Sequence, residues 1–228
     1  MCDLFKPARI NIVTGHYGSG KTEFAVNYAL KLAENSTGVS VVDLDIVNPY
    51  FRARELSTML KAKGIRVISS SVDSPSVEVP ALSAEIFSAF TKEALPVIFD
   101  VGGDGAGANA LARYHKYLDK AAYEMFFVLN ANRHATGNPH DAIRYIQSIE
   151  EASKQKITSI VNNTHMCGET TADDIVKGQK LCLEISEITG LPIRYTVISK
   201  MLLNEQLCST VKNELFPIDI YLKKPWES

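Results

Sequence analysis

The sequence predicts an α/β protein, a three-layer αβα sandwich around a mainly parallel sheet. Three observations lead there. Short apolar runs rich in β-branched residues alternate with segments of helical spacing along the whole chain. The runs are predominantly apolar, as expected of strands covered on both faces. A glycine-rich loop with phosphate-binding spacing stands between the first run and the first helical segment.

The predicted elements follow in order. Ile10–Thr14 reads as the first strand and Glu23–Ala33 as the helix after the loop. Strands at Val39–Asp43 and Ile65–Ser69 bracket a helix at Arg54–Lys63, and helical spacing returns at Pro80–Lys92. Between these last two, "SSSVDSPSVEVP" is the longest polar interruption and reads as a surface loop. The strand at Pro96–Val101 is followed by a helix at Ala108–Tyr117, and the strand at Met125–Leu129 by a helix at Pro139–Ser153. Asn138 before Pro139 has the form of an N-cap with proline at the first helical position. The strand at Ile157–Asn162 precedes a helix at Ala172–Thr189, whose Thr171 and Asp174 resemble a capping box and whose Gly190 closes it before Pro192. A strand at Ile193–Ser199 and a helix at Asn204–Leu215 complete the order. Strand and helix alternation implies right-handed βαβ crossovers.

At 228 residues the chain suits one large domain, residues 1–228, and it contains no repeat or linker. A net charge of −2 with 46% hydrophobic residues fits a globular protein and gives no general affinity for nucleic acid. No apolar run is long enough for a membrane segment and "MCDLFKPARI" lacks a signal-peptide core, so the expected location is cytoplasmic. Cys2, Cys167, Cys182 and Cys208 form no CxxC pair and read as reduced thiols. The closing "KKPWES" is too short to read as a membrane or nucleic-acid patch.

In "GHYGSGKT", Gly15, Gly20, Lys21 and Thr22 satisfy GxxxxGK[ST]. The motif lies after a strand and before a helix, the context of the P-loop nucleoside triphosphate hydrolase fold. Glycines let the backbone curl so that its amides point inward, and the helix adds its positive end. Gly15, His16, Tyr17, Gly18, Ser19, Gly20, Lys21 and Thr22 are therefore the expected phosphate cradle. Lys21 reaches toward the terminal phosphates and Thr22 toward Mg²⁺.

Phosphoryl transfer also needs a metal site and a group that orients the nucleophile. "PVIFD" ends at Asp100 and continues into "VGGDGAGAN", an apolar strand, an acid and a glycine-rich turn. Asp100 is the expected metal-side acid, and Gly102 and Gly103 allow a backbone amide to approach the γ-phosphate. Asp104 suits a surface turn as well as a metal or substrate contact. "VSVVDLDIVNPYFRARE" carries Asp43 and Asp45 at i and i+2, on one side of an extended chain. Asp45 is the candidate that polarises a water or substrate, with Asp43 nearer the metal; a pair of solvated acids is the alternative.

Together, GHYGSGKT, "VVDLDIVNP" and "VIFDVGGDG" resemble the cobyrinic acid diamide synthase, MinD and ParA group of P-loop ATPases. That branch also contains dethiobiotin synthetase and the nitrogenase iron protein. The resemblance covers most of the nucleotide fold and implies ATP and Mg²⁺ as ligands. The group has a lysine early in the loop that reaches across a nucleotide-sandwiched homodimer, whereas this sequence has His16 there, a shorter side chain without a fixed charge. Arg52, Arg54 or Arg133 offers a cation to a phosphate or acidic substrate, with ordinary surface roles as the alternative.

No NKxD guanine-reading motif occurs, and "VNNTHMC" stands where members of the group often place an asparagine beside adenine. Asn162 or Asn163 thus presents a donor and an acceptor to the base edge, or caps the loop after its strand. The expected function is an Mg²⁺-dependent ATPase acting as a nucleotide-driven switch with a protein or small-molecule partner. The alternative is a small-molecule kinase or carboxylate-activating synthetase like the dethiobiotin and cobyrinate enzymes. The chain is too short for the glutamine amidotransferase domain of full-length cobyrinate synthases, which favours the switch.

Overall fold

The computed structural model describes residues 6–36, 38–45, 56–69, 84–90, 95–203, 205–211 and 213–222. Arg52, Arg54, the "IVNPYFRARE" stretch after Asp45, the "SSSVDSPSVEVP" loop and the "KKPWES" tail lie outside them, in whole or in large part.

Eight strands form one sheet: β1 (Ile10–Thr14), β2 (Val39–Asp43), β3 (Ile65–Ser69), β4 (Val97–Asp100), β5 (Tyr123–Leu129), β6 (Ser159–Asn162), β7 (Ile193–Ser199) and β8 (Glu214–Ile218). Their spatial order is β3-β2-β4-β1-β5-β6-β7-β8, and every pairing among the described strands is parallel. The helices are α1 (Lys21–Ala33), α2 (Ser57–Ala62), α3 (Ala84–Ser88), α4 (Gly105–Ala112), α5 (His115–Leu118), α6 (Pro139–Ser153), α7 (Ala172–Thr189) and α8 (Glu205–Thr210).

Two apolar layers, one on each face of the sheet, explain why the strands are mostly hydrophobic at consecutive positions. Ile12, Val42, Phe99 and Phe127 pack with Leu111 of α4, Ile146 of α6 and Cys182 of α7. Their sequence neighbours Val13, Val41, Ile98 and Phe126 pack instead with Phe24 and Tyr28 of α1 and Leu60 of α2. This alternation is the period of two of an extended chain, with each side chain directed to its own layer.

The expected local caps form. Asn138 accepts the Asp141 N–H at 3.0 Å, Thr171 and Asp174 make a reciprocal capping box, and Gly190 closes α7 at φ 75°. The predicted helix at Asn204–Leu215 is corrected: a short α8 ends at Thr210, and Glu214–Ile218 joins the sheet beside β7 as an eighth strand. Pro217, which has no N–H to donate, is tolerated there because β8 is at the sheet edge. The predicted helix at Ala108–Tyr117 is two helices, because the turn at Tyr114 sends that ring into the core to stack on Phe90 at 5.6 Å.

The chain runs from β1 to β2 and β3 on one side, returns to β4 beside β1, then crosses to β5 on the other side. Strand order therefore reverses at β1. In open parallel sheets the crevice beyond the carboxyl ends of the strands at such a point is the ligand site.

Candidate functional site

The loop Gly15–Gly20 emerges from β1 at that point and opens into α1. It turns sharply at Gly18 (φ 74°) and Gly20 (φ 81°), backbone conformations that glycine adopts without strain. Ser19 N–H closes the curl onto the His16 carbonyl at 3.0 Å.

Neighbouring segments hold the loop from outside. Asn163, at the end of β6, donates its side-chain N–H to the Ser19 carbonyl at 2.7 Å. Arg133, after β5, donates Nε–H to the Gly18 carbonyl at 2.9 Å, and Asn130 reaches the same carbonyl at 3.4 Å. These three side chains occupy the Gly18 and Ser19 carbonyls and so fix the curl of the loop that an anion-binding cradle requires.

Lys21 and three acids converge in front. Lys21 is 6% exposed and its ammonium donates to the His16 carbonyl at 3.4 Å. Burial pulls its pKa down, opposed by the negative charges of Asp100, Asp45 and Asp104. Asp43 and Asp100 are register partners on β2 and β4. Asp43 Oδ1 accepts the Asp45 N–H at 3.1 Å, which turns the chain end so that Asp45 Oδ1 stands 3.0 Å from where a Gly102 Cβ would be. Asp104 caps α4, accepting the Gly107 N–H at 2.8 Å, and so takes the turn role while its charge still reaches Lys21.

Asp100 is fully buried, and burial together with the charge of Asp43 pushes its pKa up to about 7, against the opposing influence of the Thr22 hydroxyl and Lys21. Neither carboxylate oxygen closes a hydrogen bond of good geometry with another described residue; Thr22 is the hydroxyl that faces it. A buried carboxylate in that condition fits a divalent cation, with the Thr22 hydroxyl and Asp43 adjacent, hard oxygen donors of the kind Mg²⁺ takes. No cluster of three or more His, Cys, Asp or Glu suited to a metal occurs among the described residues. Mg²⁺ commonly takes few protein ligands when phosphates and waters complete its shell, and Thr22, Asp43 and Asp100 would be those available here.

The two asparagines differ. Asn162 spends its amide inside the fold, donating to the Ile175 carbonyl at 3.1 Å and accepting from the Thr164 N–H at 3.2 Å and hydroxyl at 2.8 Å. Asn163 holds the phosphate loop. Gly103 lies directly on that loop, since a Cβ there would stand 1.9 Å from the Gly15 carbonyl oxygen. Tyr17 projects from the loop and is 61% exposed.

Sequence reasoning did not single out Asn130, Tyr145 or His165. Tyr145 of α6 donates its hydroxyl to the Gly103 carbonyl at 2.7 Å. His165 stands close behind Gly20, and burial and the nearby Arg133 pull its pKa down to about 4. Glu23 was also passed over: its buried carboxylate accepts the main-chain N–H groups of Tyr221 at 2.8 Å and Leu222 at 3.1 Å. Four residues further along α1, Asn27 exchanges two hydrogen bonds with the main chain of Asp219, at 2.9 and 3.0 Å.

The chain has the fold of the P-loop nucleoside triphosphate hydrolases. Among solved structures it is similar to the cell division protein FtsY from Thermotoga maritima, at 22% identity and a TM-score of 0.57 over 85% of this chain and 62% of that one. It is likewise similar to the signal recognition particle receptor FtsY from Elizabethkingia anophelis in complex with GDP, at 22% identity and a TM-score of 0.57 over 92% of this chain and 65% of that one. The chain thus spans less than two thirds of the length of either relative. No family model and no curated protein matches the sequence. No helix among the described residues is long and apolar enough to cross a membrane.

Proposed function

We propose that this protein is an Mg²⁺-dependent nucleoside triphosphatase that uses ATP and acts as a switch for a protein or small-molecule partner. The observation that carries this reading is the convergence of Lys21, Thr22, Asp45 and the buried Asp100 at the mouth of a phosphate-type loop. A cradle for storage alone needs no such set of charges, whereas phosphoryl transfer is almost entirely positioning and charge stabilisation.

In this reading the loop amides bind the phosphates and Lys21 neutralises charge on the terminal ones. Thr22, Asp43 and Asp100 hold the metal side, where Mg²⁺ supplies charge neutralisation and orientation when bound. Asp45 orients the attacking water by accepting its hydrogen bond, and the Gly103 main chain contacts the terminal phosphate. The absence of an NKxD motif from the sequence supports ATP over GTP. Both asparagine amides are committed, that of Asn162 inside the fold and that of Asn163 to the Ser19 carbonyl, so Asn163 could meet a base only through its Oδ1. GDP in the FtsY relative supports a nucleotide ligand of this general class.

The test is phosphate release from Mg²⁺-ATP and Mg²⁺-GTP by the purified protein, with Lys21→Ala as control. ATP-dependent release that vanishes in the variant is the expected result. Tight binding of either nucleotide without release, even over long incubation, would point to a site that awaits an acceptor molecule. Faster release from GTP would overturn the base assignment.

A further inference from the structure

We propose that Tyr145 is a positioning residue that reads the third phosphate at Gly103 and, with His16, conveys its presence to α6. The inference rests on the nucleotide-binding role proposed above.

Gly103 is where the loop after β4 touches the phosphate loop. A Cβ on it would stand 1.9 Å from the Gly15 carbonyl oxygen and 3.3 Å from the His16 nitrogen, so the two main chains are in direct contact. Any shift of Gly103 toward a terminal phosphate must either be accommodated by the phosphate loop or strain that contact, because close-packed groups do not deform continuously.

Tyr145 touches both partners. Its hydroxyl donates to the Gly103 carbonyl at 2.7 Å, and its ring meets the His16 imidazole edge-on, with centroids 5.2 Å apart and planes at 66°. That is the favourable geometry for two aromatic rings, in which an edge approaches a face. The imidazole is itself oriented: Nδ1 lies 2.7 Å from the Tyr17 carbonyl, which can only accept, so Nδ1 carries the proton. The His16 carbonyl in turn receives the Lys21 ammonium at 3.4 Å. One aromatic side chain on α6 therefore senses both sides of the phosphate position.

This assigns a purpose to His16, whose ring meets Tyr145 edge to face. The imidazole is a flat surface that keeps the phosphate loop in register with α6. The helix carrying Tyr145 packs on both α4 and α7, so a shift of Tyr145 has a rigid body to move. A diphosphate leaves Gly103 where it is; a triphosphate engages it.

The experiment compares the affinities of ADP and a non-hydrolysable ATP analogue, with Mg²⁺, for the parent chain and for Tyr145→Phe, His16→Ala and His16→Phe. Tyr145→Phe keeps the ring and loses only the hydroxyl. The expected result is an ADP affinity within about twofold of the parent and a preference for the triphosphate reduced about fivefold, the size of one net hydrogen bond. His16→Ala is expected to lose the preference too, and His16→Phe, which retains a ring against Tyr145, to restore part of it. Overturning results are an unchanged triphosphate preference in Tyr145→Phe, equal losses for both nucleotides, or a parent with no preference at all. A parent that binds neither nucleotide would overturn the proposed function together with this inference, so the two failures are distinct.

Discussion

Asp43 and Asp100 face each other across β2 and β4, and the N–H of Leu44 donates to the Asp100 carbonyl at 2.8 Å. The ladder hydrogen bonds thus hold two buried carboxylates side by side at the ends of neighbouring strands. Their mutual repulsion is built into the backbone, which side-chain rotation relieves only in part. Among the described residues, Lys21 supplies compensating positive charge.

Replacing Lys21 tests that dependence. Lys21→Ala is expected to reduce phosphate release by about a hundredfold or more, the scale of removing one charge-stabilising donor. Quenched-flow or coupled phosphate assays, with circular dichroism to establish that the fold is retained, decide it.

His165 gives a pH dependence whose sign is fixed. Its folded pKa, about 4, lies below the ordinary value of 6.5, so between these values the unfolded chain binds more protons than the folded one. Stability from this group is therefore fully present above pH 6.5 and is lost as pH falls toward 4, by at most about 3 kcal/mol. Urea denaturation of the parent and of His165→Gln across this window checks it; the variant is expected to show a shallower decline.

Two glycines close together after β4 are expected to behave oppositely. Gly103→Ala drives a Cβ into the Gly15 carbonyl and is expected to weaken nucleotide binding at least tenfold and to cost about 1 to 3 kcal/mol of stability. A Cβ on Gly105 meets nothing within 4 Å, and as the first residue of α4 its replacement by Ala is expected to stabilise by about 0.5 kcal/mol. Thermal melts of both variants, with calorimetric titration of ADP, separate the two effects.

The clamp at Glu23 makes a further prediction. Glu23→Ala removes an acceptor shared by two main-chain N–H groups and is expected to cost about 2 to 4 kcal/mol. Limited proteolysis is expected to cut near residue 220 in the variant and not in the parent. Equal resistance would mean that the segment is held by its other contacts alone.

Much of this architecture was legible because its causes are local. The β1 run, the loop glycines, the caps at Asn138 and Thr171 and the acids at strand ends each declare themselves within a few residues. β8 was not legible, because Pro217 argues against a strand until the edge position that tolerates it is known. The supports of the phosphate loop were hidden for another reason. Arg133 lies 115 positions from Gly18 and Asn163 lies 144 from Ser19, and no local periodicity records such pairings. Glu23 and Asn27 did carry a signal, an acid and an amide at i and i+4 near the start of a largely buried helix, where unpaired polar groups are costly.

The clamp also has a consequence for biosynthesis. Glu23 leaves the ribosome well before its partners, since Tyr221 follows it by 198 residues. At ordinary translation speeds that is a wait of roughly 10 to 40 seconds. Throughout it the nascent phosphate helix carries an acid whose final partners do not yet exist. The two hydrogen bonds that satisfy Glu23 are therefore among the last contacts of this helix that synthesis makes possible.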